Sequence, residues 1–226
     1  MSESRRDRPY AVRDTRLTIA GVQATLARMP ARLPRRFFAR PTLSVARELI
    51  GCRLVRRIDG RRLSGTIVEA EAYIGEADLA CHCRHGRTPR TEVMFGKPGV
   101  AYVYFTYGLH WMFNVVTEHE GFAAAALIRA LEPIEGIDLM RTHRGLTSLR
   151  QLCSGPAKLT QALHIGERDN GVDLCVRTAD VWIETGEPLR PRRIGRSSRI
   201  GVDFAPEPWR SKPWRFFVRG NPFVSK

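Results

Sequence analysis

The stretch "CRLVRRIDGRRLSGTIVEAEAYI", residues 52–74, decides how the fold is read. Two runs of strand character flank Asp59-Gly60, a dipeptide that tolerates the positive φ angles a two-residue hairpin loop demands. The stretch is therefore expected to be an antiparallel hairpin. In its second arm, a period of two sends Val68, Ala70, Ala72 and Ile74 to one face and Glu69, Glu71 and Tyr73 to the other. The apolar face belongs against a core. The acidic face either meets bulk water, the ordinary outcome for charge on a half-buried strand, or lines a cleft where a carboxylate beside an aromatic ring has a task.

Outward from the hairpin, "PTLSVARELIG" (41–51) reads as a helix with Thr42 or Ser44 as N-cap, an apolar stripe of Val45, Leu49 and Ile50, and Gly51 as its stop. Downstream, "EADLACHCRHGRTPRTEVMFGKPG" (76–99) has little periodicity and reads as a long excursion, functional or disordered. "AYVYFTYG" (101–108) and "WMFNVVTE" (111–118) are strands, whereas "FAAAALIRALEP" (122–133) fits a strand or the start of a helix. "IEGIDLMRTHRG" (134–145) is a helix with a basic outer face, and "GPAKLTQALHIG" (155–166) a shorter one opening on Pro156. "DLCVRTADVWIETG" and "WRFFVRGNPFVS" supply late strands. Strands outnumber helices and follow one another through turns, which predicts a single α+β domain with a curved, mostly antiparallel sheet and surrounding helices.

The formal charge is +14, which argues for an anionic partner. Residues 1–40 carry ten arginines against three acidic residues, half of the excess. Residues 1–36 are read as a basic, flexible arm and 37–226 as the domain. An organelle transit peptide is the other reading of the arm, while a secretory signal lacks its compact apolar block. No window is apolar enough to span a bilayer. Five cysteines, an odd and sparse set, fit reduced thiols inside a cell better than a disulfide framework.

Several residue types could carry chemistry. Tyr102, Tyr104 and Thr106 share a strand face, and Tyr107 falls at the tip before Gly108, a shape suited to entering a base stack; the plain alternative is three ordinary sheet aromatics. "ACHCRH" (80–85) offers zinc ligands, but its spacing lacks the two separated pairs of a structural site, and no metal is expected. His82 is then free to hydrogen-bond a ligand, or is simply solvated. Ser154 as a cap and Lys158 in the following first turn could grip a phosphate, or mark an ordinary capped helix. Arg129, flanked by apolar residues, must meet a carboxylate or an anionic ligand.

Taken together, "VEAEAYIG", "KPGVAYVYFTYGLHWMFNVV", "LIRALEPIEG", "CSGPAKLTQAL" and "RFFVRGNPFVS" closely resemble the alkyladenine (3-methyladenine, methylpurine) DNA glycosylases, from about Phe37 to the C-terminus. The resemblance implies a monofunctional base-excision-repair enzyme with a protruding hairpin, needing no cofactor. On matching positions it implies that Glu71 activates water for attack at C1′ and that Tyr107 intercalates. It further implies that Tyr73, His82 and Tyr104 form the base pocket, that Asn114 disfavours the 2-amino group of guanine, and that Arg129 lies near the catalytic centre. Glu69 is left structural. The implied partner is double-stranded DNA containing damaged purines, bound by a monomer in an intracellular compartment, away from membranes. Two other readings stand beside this one: a basic DNA-binding protein without turnover, and a zinc-dependent nucleic-acid hydrolase built on "CHCRH".

Overall fold

A computed structural model describes residues 30–225. Of the basic arm, read as residues 1–36, residues 1–29 lie outside them. In chain order come α1 (Arg35–Phe38), α2 (Thr42–Glu48), β1 (Arg53–Ile58), β2 (Arg61–Ile74), β3 (Ala101–Thr106), β4 (His110–Val116) and β5 (Ala124–Glu135). Then follow α3 (Ile137–Arg144), α4 (Leu149–Leu152), α5 (Pro156–Ala162), β6 (Val181–Glu184), β7 (Ile194–Ser197) and β8 (Arg215–Val218). The strands form one open antiparallel sheet in the order β3-β4-β5-β2-β1-β6, with β8 on β2 and β7 on β8, so the domain is α+β.

The hairpin forms as its dipeptide dictates. β1 and β2 pair from Arg53↔Thr66 to Ile58↔Arg61, and Asp59 and Gly60 close the loop at φ 48° and 75°. β2 outlasts β1, and beyond Thr66 β8 takes over its exposed edge at Glu69–Glu71 while β5 follows the other edge. The two glutamates thus sit where β2 is hydrogen-bonded on both sides. Two register shifts mark this point. Ile67 pairs with Leu131, Glu69 with Ala130 and Ala70 with Ile128, which leaves Val68 extra on β2 and Arg129 extra on β5. Such bulges re-aim side chains. Here the first lets Ile67 and Val68 both join the core, and the second sets Arg129 opposite the glutamate pair.

One face of the sheet builds the main core from Ala70, Ala72, Val103, Phe113, Val115, Ala126 and Ile128. Helix α2 lies on β2 and β5, and α5 lies on β4 and β5 with α3 against it. The alanines 124–126 become strand, despite the helix propensity of alanine, because β4 and β2 claim both edges of β5 and small side chains let the helices approach. Neither Thr42 nor Ser44 caps α2; the Glu118 carboxylate does so from across the fold, accepting from Thr42 N at 2.6 Å and Thr42 Oγ1 at 2.7 Å. Nor does Ser154 cap α5, whose N-cap is Gly155, with Pro156 opening the helix. The excursion 76–99 is ordered around 3-10 turns at His82–His85 and Glu92–Phe95. Residues 31–33, inside the arm as read from the sequence, run against β6, with Leu33 N donating to Ile183 O at 2.8 Å. No helix among the described residues is long and apolar enough to cross a membrane.

Candidate active site

The face of the sheet turned away from the main core carries the polar set. Cross-strand register aligns Tyr102, Asn114, Leu127, Glu71 and Arg215 as one row over β3, β4, β5, β2 and β8. Tyr73, Tyr104, Met112, Ala125 and Arg129 add to this floor, and the loops around His82 and Ile200–Phe204 raise walls around it. The result is a pocket of ≈ 260 Å³. A wider groove among Leu109, His110, His143 and His164 holds no buried carboxylate.

Behind the pocket lie two glutamates and two arginines. Glu69 and Glu71 are both fully buried, so the reading of a solvated acidic face does not hold. Their surroundings differ in one respect. Glu69 Oε1 accepts from Arg129 Nε at 3.1 Å, Arg215 Nε at 2.6 Å and Ser225 Oγ at 2.8 Å, and its Oε2 accepts from Ser225 N at 2.7 Å. Glu69 thus takes four hydrogen bonds, three on Oε1 and one on Oε2. Glu71 Oε2 accepts from Tyr73 Oη at 2.9 Å and Arg129 Nη1 at 3.3 Å, while Oε1 accepts only the Ile200 amide at 2.8 Å. The three donors to Glu71, from Tyr73, Arg129 and Ile200, all belong to residues that line the pocket, so its carboxylate lies directly behind the lining. Burial pushes the Glu71 carboxyl above its ordinary 4.5, against the pull of Arg129, Ile200 and Tyr73. Arg129 meets the carboxylates that its apolar flanks called for, and stays charged: burial opposes the charge, but Glu71 and Glu69 outweigh it.

The rings are set by the same alternation. Tyr102 and Tyr104 lie 5.2 Å apart between centroids, and His82 meets Tyr104 edge-on at 4.5 Å. His82 Nδ1 lies 3.2 Å from Tyr102 Oη. Burial, with Arg90 and Arg84 nearby, lowers the His82 pKa to about 4, so the ring is neutral near pH 7 with one donor and one acceptor nitrogen. Asn114 Nδ2 donates to Tyr102 O at 3.0 Å, which turns the amide oxygen into its free group. Tyr107 leaves the strand alternation at φ 52° and, with Gly108 at 64°, forms the tip of the β3–β4 hairpin; it is 83% exposed, yet borders the pocket.

Glu71, Tyr73, His82, Tyr104, Tyr107, Asn114 and Arg129 are thus gathered at one place. Ser154 and Lys158 are not; they line a separate recess with Arg150, their side chains 3.5 Å apart. In "CHCRH", the Cys81 and Cys83 thiols are buried with 2.7 Å between sulfurs, and His85 accepts from Arg84. No group of three or more His, Cys, Asp or Glu side chains able to hold a metal occurs among the described residues. Sequence reading missed Arg199, Ile200, Asp78, Arg215 and Ser225, which hold the glutamates and Tyr73 from outside. The stretch 187–213 has no period to draw attention to it, and its backbone donors leave no trace in residue type.

A basic chain with a ring-lined slot and a buried, ion-paired carboxylate behind it falls in the class of enzymes that act on a nucleic-acid base. Within that class the chain belongs to the Methylpurine-DNA glycosylase (MPG) family, whose model matches residues 36–222, which makes it a DNA glycosylase of DNA repair. It is 51% identical over 194 residues to a protein of Carboxydothermus hydrogenoformans, covering 86% of this chain and 98% of that one. With a protein of Methanocella arvoryzae it shares 47% over 195 residues (86% and 96% covered), and with one of Rhodopseudomonas palustris 48% over 203 residues (90% and 94%). Each relative bears the name "Putative 3-methyladenine DNA glycosylase".

Proposed function

We propose that this protein releases alkylated or deaminated purines, of the 3-methyladenine, 7-methylguanine, hypoxanthine and ethenoadenine class, from double-stranded DNA by hydrolysing the N-glycosidic bond. The observation that carries the reading is that, while Glu69 also binds Arg215 and Ser225 away from the pocket, Glu71 is held by Tyr73, Arg129 and Ile200, which all line it. A water held there gives its proton to Glu71 as its oxygen bonds C1′, and the bond electrons leave with the purine. Arg129 holds the carboxylate in place, and the carboxylate offsets positive charge growing on the sugar. No lysine borders the pocket among the described residues, which supports water rather than an amine as nucleophile and a glycosylase without lyase activity.

The extruded base would lie between Tyr73 and Tyr104, with neutral His82 reading its edge and the Asn114 oxygen set against a 2-amino group. Tyr107 would fill the vacated stack, and Ser154 and Lys158 would hold backbone phosphate. The expected setting is an intracellular monomer acting on DNA. The test is base release from duplexes carrying each lesion in turn: release of at least one such purine, leaving an uncleaved abasic strand, is the expected result, and release of none overturns the proposal.

Two further outcomes are expected. Tyr107→Ala should cost about 2 kcal/mol of stacking, roughly 30-fold in kcat/KM, with an unchanged melting temperature because the ring is exposed. An unchanged rate would remove Tyr107 from the mechanism. For 7-methylguanine, a cationic base that needs no proton to leave, the rate should depend on Glu71 being ionised. A carboxyl raised above 4.5 takes up its proton at higher pH, so single-turnover release should decline on acidification before the ordinary carboxylate range is reached. A rate flat down to that range would contradict Glu71 as the base.

A further inference from the structure

We infer that Arg199 is a positioning residue for base release, holding both the ring of Tyr73 and the amide that orients Glu71. Its guanidinium is fully buried and forks onto Asp78, with Nη1 donating to Oδ2 at 2.5 Å and Nη2 to Oδ1 at 2.9 Å. The same nitrogens reach the chain on two sides: Nη1 donates to Ala72 O at 2.9 Å and Nη2 to Trp209 O at 3.1 Å. Ala72 lies between Glu71 and Tyr73 on β2. The flat face of the cation stacks 4.7 Å from the Tyr73 ring centroid and 5.0 Å from that of Trp214. Asp78 in turn accepts from Ile74 N and Ala80 N at 3.2 and 3.1 Å, fastening the end of β2 and a pocket wall.

The consequence falls on the next residue. Among the described residues Ile200 N is the sole donor to Glu71 Oε1, and its place in space is set by the anchored Arg199 immediately before it. Only a planar guanidinium can fork onto a carboxylate, meet two carbonyls and stack on two rings at once. Lysine keeps the charge and loses the plane. With that anchor loosened, the Ile200 amide and the Tyr73 ring drift, and Glu71 turns from the line of attack. Misplacement of about 1 Å is worth about 10²-fold in rate. Affinity for undamaged duplex, in which no extruded base rests on Tyr73, does not pass through Arg199.

This inference rests on Glu71 acting as the base, and the test separates the two. Single-turnover release from a lesion duplex and Kd for the undamaged duplex are measured for wild type, Arg199→Lys, the double variant Arg199→Gln with Asp78→Asn, and Glu71→Gln. Arg199→Lys leaves no unpaired buried charge; it should melt cooperatively, bind with near wild-type Kd and release base about 10-fold more slowly. The double variant should be about 10²-fold slow. An Arg199→Lys rate equal to wild type overturns the positioning role, and so does a rate loss matched by an equal loss of affinity. If Glu71→Gln itself turns over normally, the underlying mechanism fails instead, whatever Arg199 does.

Discussion

Glu71→Gln is expected to abolish base release, by about 10³-fold or more, while the protein still folds and binds a lesion duplex. The amide cannot take a proton from water or offset charge on the sugar. It also meets an awkward set of partners. Donors face both Glu71 oxygens, Ile200 N on one side and Tyr73 Oη with Arg129 on the other, so the new NH2 group confronts a donor whichever way it turns. That loss should cost about 1–3 kcal/mol of stability, visible as a modest fall in melting temperature. Single-turnover release and a binding titration on the same duplex separate chemistry from affinity. Near-normal release would remove Glu71 from catalysis, whatever its burial.

Glu69→Gln should behave in the opposite way. Glu69 takes four hydrogen bonds from Arg129, Arg215 and Ser225, and together with Glu71 it balances the two guanidiniums. Removing one partner from a buried ionic cluster costs about 3–5 kcal/mol. For a chain of this size that corresponds to a melting temperature lower by about 10 °C. The C-terminal segment, fastened to Glu69 through both the amide and the hydroxyl of Ser225, should become the first site of proteolytic cleavage. Release per folded molecule should fall far less than in Glu71→Gln. A melting temperature equal to that of wild type would show that Glu69 carries no such cluster.

These opposite expectations arise from residues that look alike in sequence. Glu69 and Glu71 share a face, a neighbourhood and a charge; what separates them is Ser225 and Arg215 at one and Ile200 at the other, each more than a hundred residues away. The tyrosines were more legible, because alternation alone assigns Tyr102 and Tyr104 to a common face. Tyr107 was legible through its position before Gly108, where the turn begins. The caps were not. Thr42 is of the right type to cap α2, yet its hydroxyl is taken by Glu118 and Thr117, because a carboxylate supplied from across the fold is the stronger acceptor. Arg199 was invisible for a related reason: in a chain rich in arginine, nothing local distinguishes the one that is buried against two rings.

The sequence by itself determined the hairpin at Asp59-Gly60, the two faces of β2, the mainly antiparallel order of strands and the family. Each of these depends on covalent geometry or on short-range pattern: a side chain must alternate along a strand, and a tight loop must have residues that accept positive φ. Only the tertiary structure decided that the acidic face is buried rather than wet, and which of its glutamates is held by the lining of the pocket. Burial and hydrogen-bond saturation depend on what the rest of the chain lays over a face. Here that cover comes from the loops around His82 and Ile200 and from the C-terminal segment, and no spacing along β2 encodes their arrival.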